Sequence, residues 1–281
     1  MRVITTKKKL RDHLSTRMGH GSLGLVPTMG ALHRGHAVLV ERARAENELC
    51  VVSIFVNPTQ FDNPDDLEKY PKTLDTDLEI LARISEDILV FAPSSEDIYD
   101  SKVEARHYDF DGLDKVMEGA YRQGHFDGVG TIVEALLRLV APDRAYFGEK
   151  DFQQLQIIRK LVATKNIASE IIGCPIVRED HGLAMSSRNG RLSKALFQEA
   201  SFIYSTLVSA RDKFGTESAK NVSDWVRDEF EEHPDFELEY FEIADVNTLT
   251  PAQIKKPNIK YRGFIAVYAE GVRLIDNIAM N

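Results

Sequence analysis

Cysteine is scarce in this chain, and its cysteines are not grouped. The 281 residues include two cysteines, Cys50 and Cys174, and no CxxC spacing occurs. Zinc sites and dithiol redox sites both require clustered thiols, so the sequence lacks the usual signature of either. Both cysteines lie in apolar segments typical of buried strands, and we expect inert core thiols.

Long apolar runs are also missing. The longest, such as ALLRLV and CVVSIFV, are far shorter than the roughly 20 residues that a membrane-spanning helix needs. The N-terminal MRVITTKKKLRDHLS is basic, but it lacks the apolar stretch and the small-residue cleavage site of a secretory signal. We therefore expect a cytoplasmic protein with no membrane partner.

Positive charge is in deficit. The chain has 35 Lys and Arg against 44 Asp and Glu, which gives a formal net charge of -9. Binding to nucleic acid or to an anionic membrane requires a dense cationic surface. The composition therefore predicts no nucleic-acid partner, although it leaves room for a local basic pocket.

Two common nucleotide-binding motifs are absent as well. The sequence has no GxxxxGK[ST] loop and no GxGxxG after a predicted strand. P-loop proteins and dinucleotide-binding proteins carry these motifs because backbone N–H groups must cradle phosphate. A nucleotide site in this chain must therefore rest on other segments.

Short apolar runs alternate with helix-like segments from Ser22 to Cys174, which predicts a parallel sheet with crossover helices. The predicted strands are 22–26, 49–56, 88–91, 144–147 and 169–173. Residues 129–140 place apolar side chains at helical spacing, so one face of that helix should pack on the sheet. The predicted fold class is α/β, with a nucleotide-binding type of sheet.

The pattern changes after residue 176. Two helix-like stretches, near 193–213 and 216–232, precede FELEYFEIA and FIAVYAEGVRLIDN, whose alternation predicts an antiparallel sheet. We therefore predict two domains, residues 1–176 and a smaller α+β domain at 177–281. The polar segment 57–71 is the longest irregular stretch of the first domain, and such loops are often functional.

The segment PTMGALHRGH, residues 27–36, joins the first predicted strand to a helix. A helix start presents backbone N–H groups and about half a positive charge to an anion, and Gly30 and Gly35 permit close approach. His33 and His36 can both face a bound phosphate and stabilise charge that develops on it. A capped loop with two incidental histidines is the plainer alternative. A zinc pair is another, but it lacks an obvious third ligand nearby.

The segment FVNPTQF follows the next predicted strand, at the edge where open parallel sheets bind ligands. Asn57 and Gln60 are neutral hydrogen-bonding groups, which suit a hydroxyl-bearing acid or an amine better than a phosphate. A solvated proline-rich turn explains the segment equally well.

Two aspartates, Asp75 and Asp77, lie near the start of a predicted helix in KTLDTDLE. They could hold magnesium. Acidic residues at a helix start usually cap it and complement its dipole, which is the interpretation we favour.

The segment YFGEKDFQQLQ, residues 146–156, runs from a strand through a glycine into a helix. Lys150 would offset phosphate charge, and Gly148 and Asp151 could approach a ribose. Gln153 or Gln154 could reach a substrate. Ordinary capping also explains a lysine and an aspartate at a helix start.

The segment REDHGLAMSSRNGRLS, residues 178–193, lies at the predicted domain junction. It groups Met185 with Ser186, Ser187 and Arg188, and two hydroxyls with a guanidinium make a phosphate clamp. Taken alone, the segment fits a polar linker equally well.

Six segments together closely resemble the pantothenate synthetase family, also called the pantoate-β-alanine ligases. They are PTMGALHRGH, FVNPTQF, YPKTLDTDL, HFDGV, FGEKDFQQLQIIRKLV and GLAMSSRNGRLS, and the match covers almost the whole chain. HRGH resembles this family's version of the HIGH motif of the nucleotidyltransferase superfamily. MSSRN resembles its counterpart of the mobile KMSKS loop.

The resemblance implies ATP-dependent condensation of (R)-pantoate with β-alanine, through pantoyl adenylate, to give pantothenate, AMP and pyrophosphate. ATP would be a substrate and Mg²⁺ a cofactor. The resemblance also implies a homodimer, in which residues 1–176 form a Rossmann-like domain that binds ATP and pantoate and residues 177–281 form a lid.

Residue roles follow from the same resemblance. His36 would be the proton donor, with His33 and Lys150 assisting at the phosphates. Gln60, Gln154 and Asn57 would bind pantoate, with Gln60 also toward β-alanine. The implied ATP contacts are Met29, Gly30, Ala31, Leu32, His33, Arg34, Gly35, His36, Gly148, Glu149, Lys150, Asp151, Val177, Met185, Ser186, Ser187 and Arg188. Glu118 and Arg122 would lie near the active-site entrance.

Four positions depart from the common family pattern, one of them Gln123 in place of proline. Many members read RPGHFRGV with a lysine in the following helix, whereas this chain reads RQGHFDGV with Asp127 and Ala135. Thr59 stands where methionine is common. These changes could alter the entrance or the dimer surface, but every residue assigned to ATP or pantoate is retained.

Two other functions fit some of the same residues. A nucleotidyltransferase would leave AMP or CMP on its product, whereas the ligase releases AMP when an amine is supplied. A non-catalytic ATP-sensing module could use the same fold. The histidine pair and the glutamines count against that module.

Overall fold

The structure, a computed structural model, describes residues 1–16, 21–99 and 102–281. The strands are β1 (Arg2–Ile4), β2 (Leu23–Thr28), β3 (Leu49–Ile54), β4 (Leu89–Phe91), β5 (Arg144–Gly148), β6 (Glu170–Cys174), β7 (Glu237–Asp245), β8 (Tyr261–Ala269) and β9 (Val272–Ala279). The α-helices are α1 (Lys7–Ser15), α2 (Arg34–Glu46), α3 (Pro64–Glu68), α4 (Leu74–Ile84), α5 (Ser95–Tyr99), α6 (Glu118–Tyr121), α7 (His125–Val140), α8 (Phe152–Thr164), α9 (Lys194–Glu199), α10 (Ser201–Phe214) and α11 (Ala219–Glu231). Short 3₁₀ turns lie at Pro58–Gln60, Glu149–Asp151 and Asn189–Arg191.

The chain separates into two compact units. The first comprises Met1–Asp114, Glu118–Glu149 and Gln154–Pro175. The second comprises Lys115–Met117, Lys150–Gln153 and Ile176–Asn281. The division between residues 176 and 177, and the roles of catalytic domain and lid, stay predictions.

The first unit is built on a parallel sheet, in which the described strands lie in the order β1-β4-β3-β2-β5-β6. Each adjacent pair runs parallel. Such a sheet is buried on both faces, which explains the nearly continuous apolar runs in β3 and β4. Val26, Val52 and Val90 pack with Leu39 and Val40 of α2 in one core. The predicted Rossmann-like class of this sheet is confirmed.

The second unit contains an antiparallel sheet of order β7-β8-β9. Helices α10 and α11 contribute Leu207, Phe214 and Val226 to a core shared with Ile265 of β8. The predicted antiparallel sheet is therefore present. The helix-like stretch 193–213 is divided into α9 and α10 at Ala200, a break that no glycine or proline announces in the sequence.

Two further features differ from the sequence predictions. The edge strand β1 pairs with β4 but is only three residues long, too short to show a period. The segment 57–71 is not irregular throughout, because a 3₁₀ turn begins at Pro58 and α3 begins at Pro64. Proline suits the first helical position, where its missing N–H is not needed.

The two cysteines are buried, Cys50 in β3 and Cys174 in β6. Burial raises the pKa of the Cys50 thiol to about 12, and it also raises the pKa of the Cys174 thiol. Both thiols are therefore protonated and unreactive at neutral pH. Within the described ranges, no helix combines the length and the apolar character that crossing a bilayer demands.

Candidate active site

The strand order reverses at β2, which pairs with β3 on one side and with β5 on the other. Ligands of open α/β sheets bind outside the carboxyl ends of the strands at such a point. In this chain the segments that follow Thr28, Ile54 and Gly148 start there. They carry most of the residues that the sequence nominated.

Two imidazoles cap the start of α2. His33 is the N-cap residue, and its Nδ1 accepts a hydrogen bond from Gly35 N at 3.1 Å. The Nδ1 atom of His36 accepts from His33 N at 3.3 Å. The two ring centroids are 4.1 Å apart. The predicted pairing of these histidines at the helix start is therefore present.

These caps fix the tautomer of both rings. A backbone N–H can only donate, so the Nδ1 atom that accepts it carries no proton. In the neutral ring the proton is then on Nε2. Both histidines therefore hold an Nε2–H donor, which is the group that can bond a phosphoryl oxygen without adding charge to the helix start.

The turn before His33 is held by Asp77. Gly30 and Ala31 have positive φ angles of 81° and 49°, a conformation that costs a non-glycine residue about 1–2 kcal/mol. The Asp77 carboxylate accepts from Ala31 N at 3.1 Å and from Leu32 N at 2.7 Å. Asp77 is only 1% exposed.

Asp75 and Asp77 therefore differ in what they do. Both lie in the first turn of α4, as the dipole interpretation required. Asp75 is exposed, whereas the buried carboxylate of Asp77 binds the turn between β2 and α2. The sequence interpretation missed this second role, because nothing local to residues 73–78 indicates a partner 45 residues earlier.

The segment after β3 meets the same turn. Asn57 precedes the 3₁₀ turn that ends at Gln60, and both side chains are buried. Gln60 Nε2 lies 2.8 Å from the Sδ atom of Met29. The predicted nucleotide segment and the predicted amide segment are thus in contact.

His125 supports the backbone of Gln60. The sequence did not predict this residue as part of the site. The backbone carbonyl of Gln60 accepts from His125 Nδ1 at 2.7 Å and from Arg122 Nη2 at 3.4 Å. Because a carbonyl only accepts, Nδ1 of His125 carries a proton. Arg122 also pairs with Glu118 at 3.6 Å. Glu118 and Arg122 therefore belong to the support of the 3₁₀ turn.

The side chain of Arg34 extends along α2 and forms an ion pair with Glu41. Its guanidinium is thereby engaged on the exposed surface of the helix. If Arg34 contacts ATP, we therefore expect its backbone to make the contact, because backbone N–H groups at a helix N-terminus can bind phosphate.

The two glutamines that follow β5 have different surroundings. Gln153 is buried and its Nε2 donates to the carbonyl of Val116 at 2.8 Å. Gln154 is half-buried. The amide of Gln153 therefore has a structural partner, which favours Gln154 as the substrate residue of the pair. The carbonyl of Lys150 accepts from Asn277 Nδ2 at 2.8 Å.

In the second unit, Val177 and Met185 lie side by side, because Met185 N donates to the carbonyl of Val177 at 3.0 Å. Ser186 Oγ then accepts from Arg188 N at 3.2 Å. The structure thus brings Val177 next to Met185 and the Ser186 hydroxyl next to the backbone of Arg188. Their convergence with His33 and His36 on one nucleotide stays a prediction.

Arg178, the residue after Val177, forms an ion pair with the buried carboxylate of Asp276. Arg178 Nη2 is 3.0 Å from Asp276 Oδ1, and the Arg178 guanidinium also lies over the ring of Tyr204. Burial raises the pKa of Asp276, while Arg178 opposes the rise. Neither residue of the pair was nominated from the sequence, because the two are 98 residues apart.

The described part of the chain contains no cluster of side chains that could bind a metal ion. Among residues 1–16, 21–99 and 102–281, no group of three or more His, Cys, Asp or Glu side chains could hold a metal ion. The imidazole pair of α2 therefore has no third protein ligand within that part of the chain.

The sheet with its reversal at β2, and the imidazole-capped helix start beside it, define a nucleotide-binding α/β protein. The family model described as Pantoate-beta-alanine ligase matches residues 2–279. The chain belongs to that family, and it is an enzyme of the acid–amino-acid ligase class. The resemblance seen in the sequence is confirmed.

Individual relatives agree. A protein of Christiangramia forsetii named pantothenate synthetase is 52% identical over 282 residues, which cover 100% of both chains. The crystal structure of pantothenate synthetase from Thermus thermophilus has a TM-score of 0.91 at 40% identity, covering 100% of this chain and 99% of that one.

A third comparison concerns a structure with ligands. The Francisella tularensis pantoate-beta-alanine ligase, complexed with beta-gamma ATP and beta-alanine, has a TM-score of 0.82 at 35% identity. The match covers 100% of this chain and 98% of that chain.

Proposed function

We propose that this chain joins (R)-pantoate to β-alanine with ATP, through pantoyl adenylate, and that the residues described above carry the reaction. The observation that carries the proposal is the 2.8 Å contact between Gln60 Nε2 and Met29 Sδ. It sets a neutral amide donor beside the turn that leads into α2, whose N-terminus is suited to bind an anion. An acid held by Gln60 would then lie next to a phosphate held by α2.

In the first step, a carboxylate oxygen of pantoate attacks the α-phosphorus of ATP, and the bond to pyrophosphate breaks. The Nε2–H groups of His33 and His36, with the helix N-terminus, stabilise charge on the α-phosphoryl oxygens. His36 is the proton donor of this set. Lys150 offsets the charge of the leaving pyrophosphate.

In the second step, the free amine of β-alanine attacks the acyl carbon of the adenylate. The bond from that carbon to the AMP oxygen breaks, and the nitrogen loses one proton to give the amide. Gln60 and Gln154 hold the acyl part during both steps, and Asn57, whose amide is bonded within the protein, supports Gln60. Because water would hydrolyse the adenylate, we assign the loop at 185–188 the role of a lid.

The remaining ATP contacts follow the family pattern. They are Met29, Gly30, Ala31, Leu32, Arg34, Gly35, Gly148, Glu149, Asp151, Val177, Met185, Ser186, Ser187 and Arg188.

Magnesium enters this proposal as MgATP. Both oxygens of Asp77 accept backbone N–H groups, so this carboxylate is already committed to the turn. Magnesium retains water and binds substrate phosphates readily. The triphosphate and water would therefore supply most of its ligands.

We also propose a cytoplasmic homodimer, with the family resemblance as support. The chain mass is 31.7 kDa. Light scattering on the purified protein should give twice that mass, and a value equal to the chain mass would contradict the dimer.

One assay tests the function. ATP–pyrophosphate exchange should require (R)-pantoate and should not proceed with a panel of other hydroxy acids, and β-alanine should then release AMP. Exchange with no acid preference would contradict the substrate. AMP retained covalently on the product would instead indicate a nucleotidyltransferase.

A further inference from the structure

The amide of Asn57 has an orientation that its surroundings dictate. Asn57 is 1% exposed, and the atom of its amide nearest to the carbonyl of Gly128 is 3.1 Å away. A carbonyl oxygen can only accept, so that atom must be the Nδ2 donor. The Oδ1 acceptor of Asn57 therefore points to the other side.

Two hydroxyls meet the acceptor end of this amide. Thr59 Oγ1 is 3.1 Å from Asn57 Oδ1, and the phenol of Tyr99 donates to the same oxygen. The two hydroxyls are also 2.9 Å apart. Burial raises the pKa of Tyr99, so its hydroxyl keeps its proton at neutral pH. Rotating the amide by half a turn would set two acceptors, Oδ1 and the Gly128 carbonyl, against each other.

The orientation of the Asn57 amide also determines the orientation of the Gln60 amide. Asn57 Nδ2 also donates to Gln60 Oε1 at 3.2 Å, which fixes the oxygen of the second amide. Gln60 Nε2 is then at the opposite end, next to Met29. Gln60 thus presents a donor toward the turn between β2 and α2, and a donor selects carboxylate or hydroxyl oxygens over ammonium groups.

The close approach on which this chain of bonds depends requires a glycine. A Cβ atom added at residue 128 would lie 2.2 Å from the carbonyl oxygen of Thr59. Helix α7 can therefore reach the 3₁₀ turn at Pro58–Gln60 only with Gly128 in this position. This gives the HFDGV segment a physical role.

We propose that the hydroxyls of Thr59 and Tyr99 are positioning groups, which orient the amide of Asn57 and through it the donor end of Gln60 toward an oxygen of the acid. This role rests on the proposed function for the identity of the acid. It also gives Thr59, a departure from the common family sequence, a specific part in the site.

The test compares Thr59→Val with Thr59→Ser, because valine keeps the shape of threonine without the hydroxyl and serine keeps the hydroxyl. Thr59→Val should raise the KM for (R)-pantoate in ATP–pyrophosphate exchange about fivefold, and Tyr99→Phe about tenfold. The KM for ATP should change less than about twofold. Thr59→Ser should keep the KM for (R)-pantoate near the wild-type value.

The double variant adds a second readout. If both hydroxyls act on one oxygen, the effect of Thr59→Val plus Tyr99→Phe should differ from the product of the single effects. Equal rises in the KM values for ATP and pantoate, or a serine variant as poor as the valine variant, would show a packing role and overturn the proposal.

NMR of the side-chain amides tests the coupling between Asn57 and Gln60 without measuring enzyme activity. Both Thr59→Val and Tyr99→Phe should shift the amide proton signals of Asn57 and of Gln60, while those of Gln154 stay in place as the internal control. A shift confined to Asn57 would refute the coupling to Gln60. If wild-type protein shows no exchange with pantoate, the proposed function fails, and this NMR result still judges the orientation of the two amides.

Discussion

The turn after β2 and the turn after β3 lie at neighbouring strand ends but are built on different principles. The first is a helix N-terminus whose two capping imidazoles accept the backbone N–H groups of His33 and Gly35, and we propose that it binds phosphate. The second uses neutral amides whose donors and acceptors are fixed by neighbours.

The difference shows how each kind of ligand group is selected. A phosphate is recognised mainly by the positive electrostatic potential at a helix N-terminus. The residues that create this potential are close together in sequence. An uncharged hydroxyl or a particular carboxylate oxygen is recognised by hydrogen-bond polarity, which must be set by partners from elsewhere in the chain. The first turn should therefore govern the phosphate chemistry, and the second should govern the choice of acid.

The sharpest way to break this division is His36→Ala. We expect ATP–pyrophosphate exchange to fall roughly 10²- to 10³-fold, the usual effect of losing one donor that stabilises developing charge. His36→Asn is the matched control for the cap, since its amide can still accept from the backbone. An alanine variant with an unchanged rate would remove His36 from the mechanism.

The second turn is tested by Gln60→Ala and Gln154→Ala. Each should weaken pantoate binding about 10- to 100-fold, since a hydrogen bond to a charged group contributes about 1.5–3 kcal/mol. ATP binding should change much less. Calorimetry with each ligand separates the two, and an equal loss of both would contradict the division between the turns.

Asp77→Asn sharpens the account of the first turn. The asparagine retains a single acceptor for two backbone N–H groups, so the free energy of unfolding should fall by about 1–3 kcal/mol. Because the turn then shifts, exchange should slow about tenfold.

Asp75→Asn is its matched control. It removes the same charge from the same first turn of α4, yet Asp75 is exposed. Chemical denaturation and exchange rates should therefore stay near wild type. If the two variants lose activity equally, the charge at the helix start matters rather than the bonds to Ala31 and Leu32.

Much of the fold was readable from local patterns. Apolar runs located β2 to β6 closely, and alternation located the antiparallel sheet of the second unit. The short strand β1 and the break at Ala200 were not readable, because neither carries enough residues or a breaker to leave a pattern. Pro58 and Pro64 suggested a loop, whereas each begins a short helical turn.

For the site, the chain order of the motifs nominated His33, His36, Asn57 and Gln60. It could not show that Met29 touches Gln60, since 31 residues separate them. The supports of the site were also invisible: Asp77, His125 and Tyr99 act across long sequence separations through hydrogen bonds.

The sequence by itself determined the class of the sheet, the family, and the helix start at which two histidines cap the chain, because strand period and capping are local properties. Only the tertiary structure decided which end of each amide faces the ligand and which of two aspartates holds the turn. Those choices depend on the carbonyl of Gly128 and on backbone N–H groups far away in sequence, since a hydrogen bond forms between groups that folding brings together.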